Sequence, residues 1–160
     1  MNTERIVAAT AALLATPLLL SGCTASPVGD FRSQVAPAVI AADSNIRDTH
    51  LSFSTGPAGV GFWLRIYVDD ASDDAVARSL VAALDAAYSA SPSLPTSIQL
   101  DVARAPKPDD VELALGDIPI SAAAEAAGLA SYRLNNSIEL GSADLEQRYG
   151  PDNARFIAEF

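Results

Sequence analysis

Hydrophobic positions fall along this chain in three patterns. From Ile6 to Leu20 runs an uncharged stretch of 15 residues, shorter than the roughly 20 that a helix needs to cross a bilayer. Further on the pattern alternates. Arg47 to Ser54 places Leu51 and Phe53 on one face and His50 and Ser52 on the other, the period of a half-buried strand. Phe62 to Val68 does the same, with Phe62, Leu64, Ile66 and Val68 on one face and Trp63, Arg65 and Tyr67 on the other. Between the two runs, Gly56-Pro57-Ala58-Gly59-Val60-Gly61 is a turn signal, and the pair is predicted to form an antiparallel hairpin.

The third pattern has the helical period. Val76, Leu80, Val81, Leu84 and Tyr88 make one apolar stripe, predicting a helix from Asp70–Ser72 to about Ala90, stopped by Pro92 and Pro95. Ile98, Leu100 and Val102 then alternate as a third strand, closed by Ala105-Pro106-Lys107-Pro108. Val111 to Leu115 reads as a short strand. Ser121 caps an alanine-rich helix ending at Gly128. Tyr132 to Leu140 reads as one strand, with Leu134, Ile138 and Leu140 on one side. Ser142 opens a last helix carrying Leu145 and Tyr149, ended by Gly150-Pro151. At the front, Val35 to Ala42 predicts a short helix, and at the back Phe156, Ile157 and Phe160 predict that the chain packs onto the body. The order (α)ββαβαβα implies an α+β two-layer sandwich: a mainly antiparallel sheet of about four strands with two or three helices on one face.

Composition trims this picture. Of the 160 residues, 49% are hydrophobic, yet 31 are alanine, so one modest core is expected and not two domains. The formal charge is −10 and there is a single lysine, which argues against nucleic acid, whose phosphates need clustered Lys and Arg. A lone cysteine excludes a disulfide framework and any Cys-cluster metal site.

That cysteine ends the first apolar run. Leu20-Ser21-Gly22-Cys23 resembles the lipobox of bacterial lipoprotein precursors. The resemblance implies that residues 1–22 are a signal peptide cleaved after Gly22 and that diacylglycerol is attached to the Cys23 thiol. It further implies an extracytoplasmic protein held to the membrane of the cell envelope. Two or more acyl chains make a stable anchor where one does not. The discarded segment carries one base, Arg5, and one acid, Glu4, so the charge of −10 belongs to the mature chain, which an anionic bilayer repels. Thr24 to Pro37 reads as a flexible tether of 14 residues, spanning roughly 20 Å as a coil, before a single domain from 38 to 160.

The αββαβ order from Val35 to Val102 is similar to that of BON domains, small modules of bacterial envelope proteins often associated with membranes. The likeness rests on Val39-Ile40-Ala41-Ala42-Asp43, the hairpin and the amphipathic helix. The chain departs from that family where Phe62-Trp63-Leu64-Arg65-Ile66 replaces a glycine-containing second strand, and in an acidic surface that ill suits phospholipid contact.

Candidate chemistry is sparse. Asp69-Asp70-Ala71-Ser72-Asp73-Asp74 has the oxygens that Ca²⁺ prefers but lacks the glycine turn and distal glutamate of a hand-type loop. A helix N-terminus explains it without a metal, since Asp and Ser there satisfy free N–H groups. No metal or cofactor is expected. His50 is the only histidine, so a near-neutral general base has to be His50 or a perturbed carboxylate. Ser52 and Ser54 follow it along one strand face, with no third partner and no Gly-x-Ser-x-Gly elbow.

Parity makes a stronger suggestion. If the strands share one sheet, the face away from the helices carries His50, Trp63, Arg65, Tyr67, Gln99, Asp101 and Arg133. Trp, Tyr and Arg are the residues enriched at binding hot spots, although they also serve as ordinary cross-strand stabilisers. The leading expectation is therefore a non-enzymatic, lipid-anchored accessory module that binds an envelope protein, a peptide or a small ligand through this face. The alternative is an envelope hydrolase or metal-dependent enzyme using carboxylates and His50.

Overall fold

The computed structural model describes residues 27–57, 59–111 and 117–150. The expected signal peptide, Cys23, most of the 111–115 segment and the apolar residues beyond 150 lie outside the described residues. The chain runs α1 (Pro27–Ala42), β1 (Ile46–Gly56), β2 (Gly59–Val68), α2 (Asp73–Ala90), β3 (Ser97–Arg104), α3 (Ser121–Ala126), β4 (Arg133–Leu134), β5 (Ser137–Gly141) and α4 (Ser142–Tyr149), with a 3₁₀ turn at Ala130–Tyr132. It is an α+β fold. One five-stranded sheet has the order β1-β2-β3-β5-β4. All neighbouring strands are antiparallel except β2 and β3, which the α2 crossover makes parallel.

The alternation seen in the sequence sets the register. Phe53, Phe62, Ile98 and Leu140 form one cross-strand row, and Leu51, Leu64, Leu100 and Ile138 the next. Helices bury these rows. In α2, Val76, Leu80, Ala83, Leu84 and Ala87 are essentially inaccessible, one stripe at 3.6-residue spacing. The next row, Ser52, Trp63, Gln99 and Glu139, faces the other way.

At the β1–β2 turn the glycines have separate causes. Gly59 sits at φ 126, a conformation closed to L side chains. A Cβ on Gly61 would lie 2.5 Å from Ser97 Oγ and 2.9 Å from Ser54 Oγ, so its bareness lets the strands close.

Three expectations are corrected. The first helix begins at Pro27, eight residues before the expected start at Val35. Phe31 and Val35 are buried core residues, so Pro27 to Pro37 belongs to the folded domain and not to a tether. Pro at the first helical position is preorganised for that start, and burial outweighs the backbone bond that Pro37 forgoes in the helix interior.

Secondly, Tyr132 to Leu140 is not one strand. Asn135 takes a left-handed turn at φ 55, which Asn tolerates, and folds the segment into the β4–β5 hairpin. The fold-back reverses parity: Leu134 pairs with Ser137 and is 52% exposed. Thirdly, Ser121 and Ser142 are not caps. Ile120 and Gly141 occupy those positions, and the Asp144 carboxylate accepts the Gly141 N–H at 3.0 Å.

Candidate functional site

On the face away from the helices, β2 and β3 bring Trp63, Arg65 and Asp101 together, because parallel register sets Arg65 beside Asp101 and Trp63 one row on. Arg65 Nε donates to Asp101 Oδ1 at 2.8 Å and Nη2 to Oδ2 at 3.0 Å. The fork geometry matches a planar guanidinium to a carboxylate. The Trp63 indole N–H adds a third donor to Asp101 Oδ2 at 3.1 Å. Asp101 is 0% and Arg65 5% exposed, so desolvation is offset by pairing and by hydrogen bonds, the condition under which buried charges persist. The hydrogen bond to Asp101 holds the Arg65 guanidinium above its ordinary value, against the opposing effect of burial. The Arg65 cation also lies 4.7 Å from the centre of the Trp63 ring, within cation–π range.

His50 and Trp63 meet edge to face, with ring centres 5.9 Å apart. Burial, then the charges of Lys107, Arg65 and Arg32, push the imidazole below its usual value, with Asp101 opposing; His50 is therefore neutral at pH 7. These two rings stand between two hollows. One, of about 200 Å³, is lined by Ser52, Ser54, Trp63, Ser97, Gln99 and Glu139, with Phe53 and Phe62 completing it. The other, of about 400 Å³, lies between α1 and β1 and includes Arg32, Ile40, Asp48, His50, Leu51 and Lys107. Gln99 spans from β3 to β5, its amide donating to Ser137 Oγ at 3.2 Å.

Of the seven residues expected on this face, His50, Trp63, Arg65, Gln99 and Asp101 come together. Tyr67 lies on the same face but is 2% exposed, and its hydroxyl meets no hydrogen-bond partner with good geometry among the described residues. Arg133 does not join them. It sits on the edge strand β4 opposite Ile138, in the row of Leu100, and its Nη1 donates to the Asn135 carbonyl at 3.0 Å. The hairpin that exposes Leu134 carries Arg133 away for the same reason.

Nor is the centre of the face a solvated surface. Arg65 and Asp101 are paired with each other, leaving the half-buried Trp63, His50 and Gln99, the surrounding serines and the exposed Glu139 carboxylate as the groups a partner can reach.

The acidic segment opens α2, with Ser72 at the N-cap position but making no side-chain cap bond, and two of its carboxylates have partners. Asp69 pairs with Arg47, and Asp70 accepts the Ser72 N–H at 2.8 Å, which holds the Asp70 carboxyl below its ordinary value. Among the described residues no cluster of three His, Cys, Asp or Glu side chains is placed to hold a metal ion.

Two polar connections had no local signal in the sequence. Asp43, Asn45 and Ser79 form a network in which Asn45 also bonds both backbone groups of Asp70. Lys107 Nζ reaches back to Asp48 Oδ1 at 3.2 Å and to the Thr49 carbonyl at 2.8 Å. Both join residues more than twenty positions apart, which periodicity cannot register. Among the described residues no helix is long and apolar enough to cross a membrane. No protein-family model, curated protein or solved structure matches this chain.

Proposed function

We propose that this chain is a lipid-anchored extracytoplasmic binding module of the bacterial cell envelope, joined to the membrane through Cys23. Its ligand, an envelope protein, a peptide or a small molecule, is taken on the outer sheet face. One observation carries the reading: Trp63 is half-buried, locked by Asp101 and Arg65, and borders a hollow that sets serines, Gln99 and the Glu139 carboxylate beside the rings of Phe53 and Phe62. A fixed aromatic body with a few converging polar groups loses little entropy on binding. The ion pair orients the indole, and the ligand meets the ring edge, His50 and the Gln99 amide.

The test compares partner crosslinking in intact membranes for wild type, Trp63→Ala and Ser52→Trp. Ser52→Trp fills the hollow without touching the Asp101 hydrogen bonds, so its unfolding free energy is expected to stay within about 0.5 kcal/mol of wild type, as for a surface substitution. Both variants are expected to lose capture. Full capture by both, or a large stability loss in Trp63→Ala with binding unaltered, overturns the proposal. Fatty-acid labelling of wild type but not of Cys23→Ser is the matching result for the anchor.

A further inference from the structure

We infer that one end of this molecule, formed by the β1–β2 turn and the loop joining α2 to β3, is a docking surface for a phospholipid bilayer. The inference rests on the lipid anchor at Cys23 and adds an orientation to it. The first observation is chain length. Because α1 begins at Pro27, only three residues separate it from Cys23, a reach of at most about 14 Å. The N-terminal end of α1 is therefore tied close to the lipid headgroups.

The second observation is which end of the sheet that is. Phe31 of α1 packs on Phe53 and Phe62, with ring centres 6.2 and 5.8 Å away. Pro27 lies about 6 Å further along the helix, and the β1–β2 turn about 10 Å beyond Phe53 along the strand. Both extend the same way, because α1 packs antiparallel to β1: Ala42 leads into Ile46 at the opposite end. The loop after α2 belongs to the same end, since the Thr96 N–H donates to the Val60 carbonyl at 2.9 Å.

The third observation is charge. No Asp, Glu, Lys or Arg occurs between 51 and 64 or between 86 and 100, the two stretches that build this end. It exposes Pro57, Pro92 and Leu94, the last 39% accessible. At the far end, where β1 begins and β2 and β3 finish, Asp43, Asp69, Asp70, Asp73 and Asp74, with Asp109 and Asp110 in the segment after β3, outnumber the cations Arg47, Arg104 and Lys107. An anionic surface repels that end and tolerates the uncharged one. Asp30 and Asp144, each on the first turn of its helix, are the flanking carboxylates; they confine contact to the two loops.

The experiment uses the full-length lipidated protein in vesicles of phosphatidylcholine and anionic phosphatidylglycerol containing headgroup-region nitroxide lipids. With Cys23 acylated, Leu94→Cys and Asp110→Cys each offer one free thiol for a fluorophore, and both sites are exposed in the folded chain. The label at Leu94 is expected to lose about half of its emission, consistent with penetration to the headgroup boundary, while that at Asp110 is unchanged. Equal quenching at both sites, or none at Leu94, in protein whose mass includes the lipid overturns the orientation alone. Protein whose mass lacks the lipid overturns the anchor and the orientation together.

Discussion

Asp101 is where the outer face is tied together. Its two oxygens accept three donors from two side chains of β2, while Tyr67, also on β2, buries a hydroxyl without an aligned partner. The two residues therefore respond in opposite senses to loss of polar atoms. Asp101→Ala strands the Arg65 cation in a desolvated site and is expected to cost about 3–5 kcal/mol. Tyr67→Phe removes a hydroxyl that lies against the Arg65 guanidinium without an aligned hydrogen bond, and, since an unpaired buried hydroxyl costs about 1–3 kcal/mol, is expected to leave the protein as stable or more so. Urea unfolding of the pair checks this. A Tyr67→Phe loss comparable to that of Asp101→Ala would mean that the hydroxyl is satisfied after all.

Among the elements, α1 departs most from its sequence expectation, and the cause is specific. Phe31, Val35 and Val39 recur at intervals of four, but Ser, Pro, Gly and Ala around them carry the composition of a linker, and Pro37 argues for a break. The spacing of the three apolar residues, and not the composition around them, decides the helix. Phe31→Ala is expected to cost about 3 kcal/mol or more in unfolding free energy, as for a buried aromatic. Gln34→Ala, on the exposed side of the same helix, should stay within about 0.5 kcal/mol. Equal effects would return this segment to the status of a tether.

The central strands were legible for the converse reason. Strict alternation in Phe62 to Val68 and in Ile98 to Val102 leaves one way to bury them, and their outer neighbours Trp63, Arg65, Gln99 and Asp101 follow by parity. The β4–β5 hairpin was not legible, because a two-residue turn at Asn135 and Asn136 interrupts a run that otherwise alternates. The long-range pairings of Lys107 and Asn45 were beyond any local pattern.

At the scale of the whole molecule, charge opposes folding while the core sustains it. A net charge of −10 on a chain of this size is self-repulsive when unscreened. Raising salt from roughly 0.01 M to 0.15 M shortens the screening length from about 30 Å to about 8 Å. The melting temperature is then expected to rise by about 2–4 °C, as for roughly 1 kcal/mol in a domain of this size. The buried Arg65–Asp101 pair is shielded from that screening, whereas the exposed Arg47–Asp69 pair is weakened by it. An unchanged or falling melting temperature would show that surface ion pairs outweigh the general repulsion.

Lys107 has a practical consequence. β1 is an outer strand of the sheet, and at Thr49 its main-chain N–H is held by the Asp48 carboxylate and its carbonyl by Lys107. The lysine thus closes the strand edge against pairing with another chain. It is also the only lysine in the sequence, so an amine-reactive dye or crosslinker that acylates a side-chain amine acts there. Such a reagent does more than mark the protein: it abolishes the charge that pairs with Asp48 and adds bulk where the amine meets the Thr49 carbonyl, which opens a sticky edge, so aggregates seen after amine labelling would be a product of the chemistry and not a native assembly.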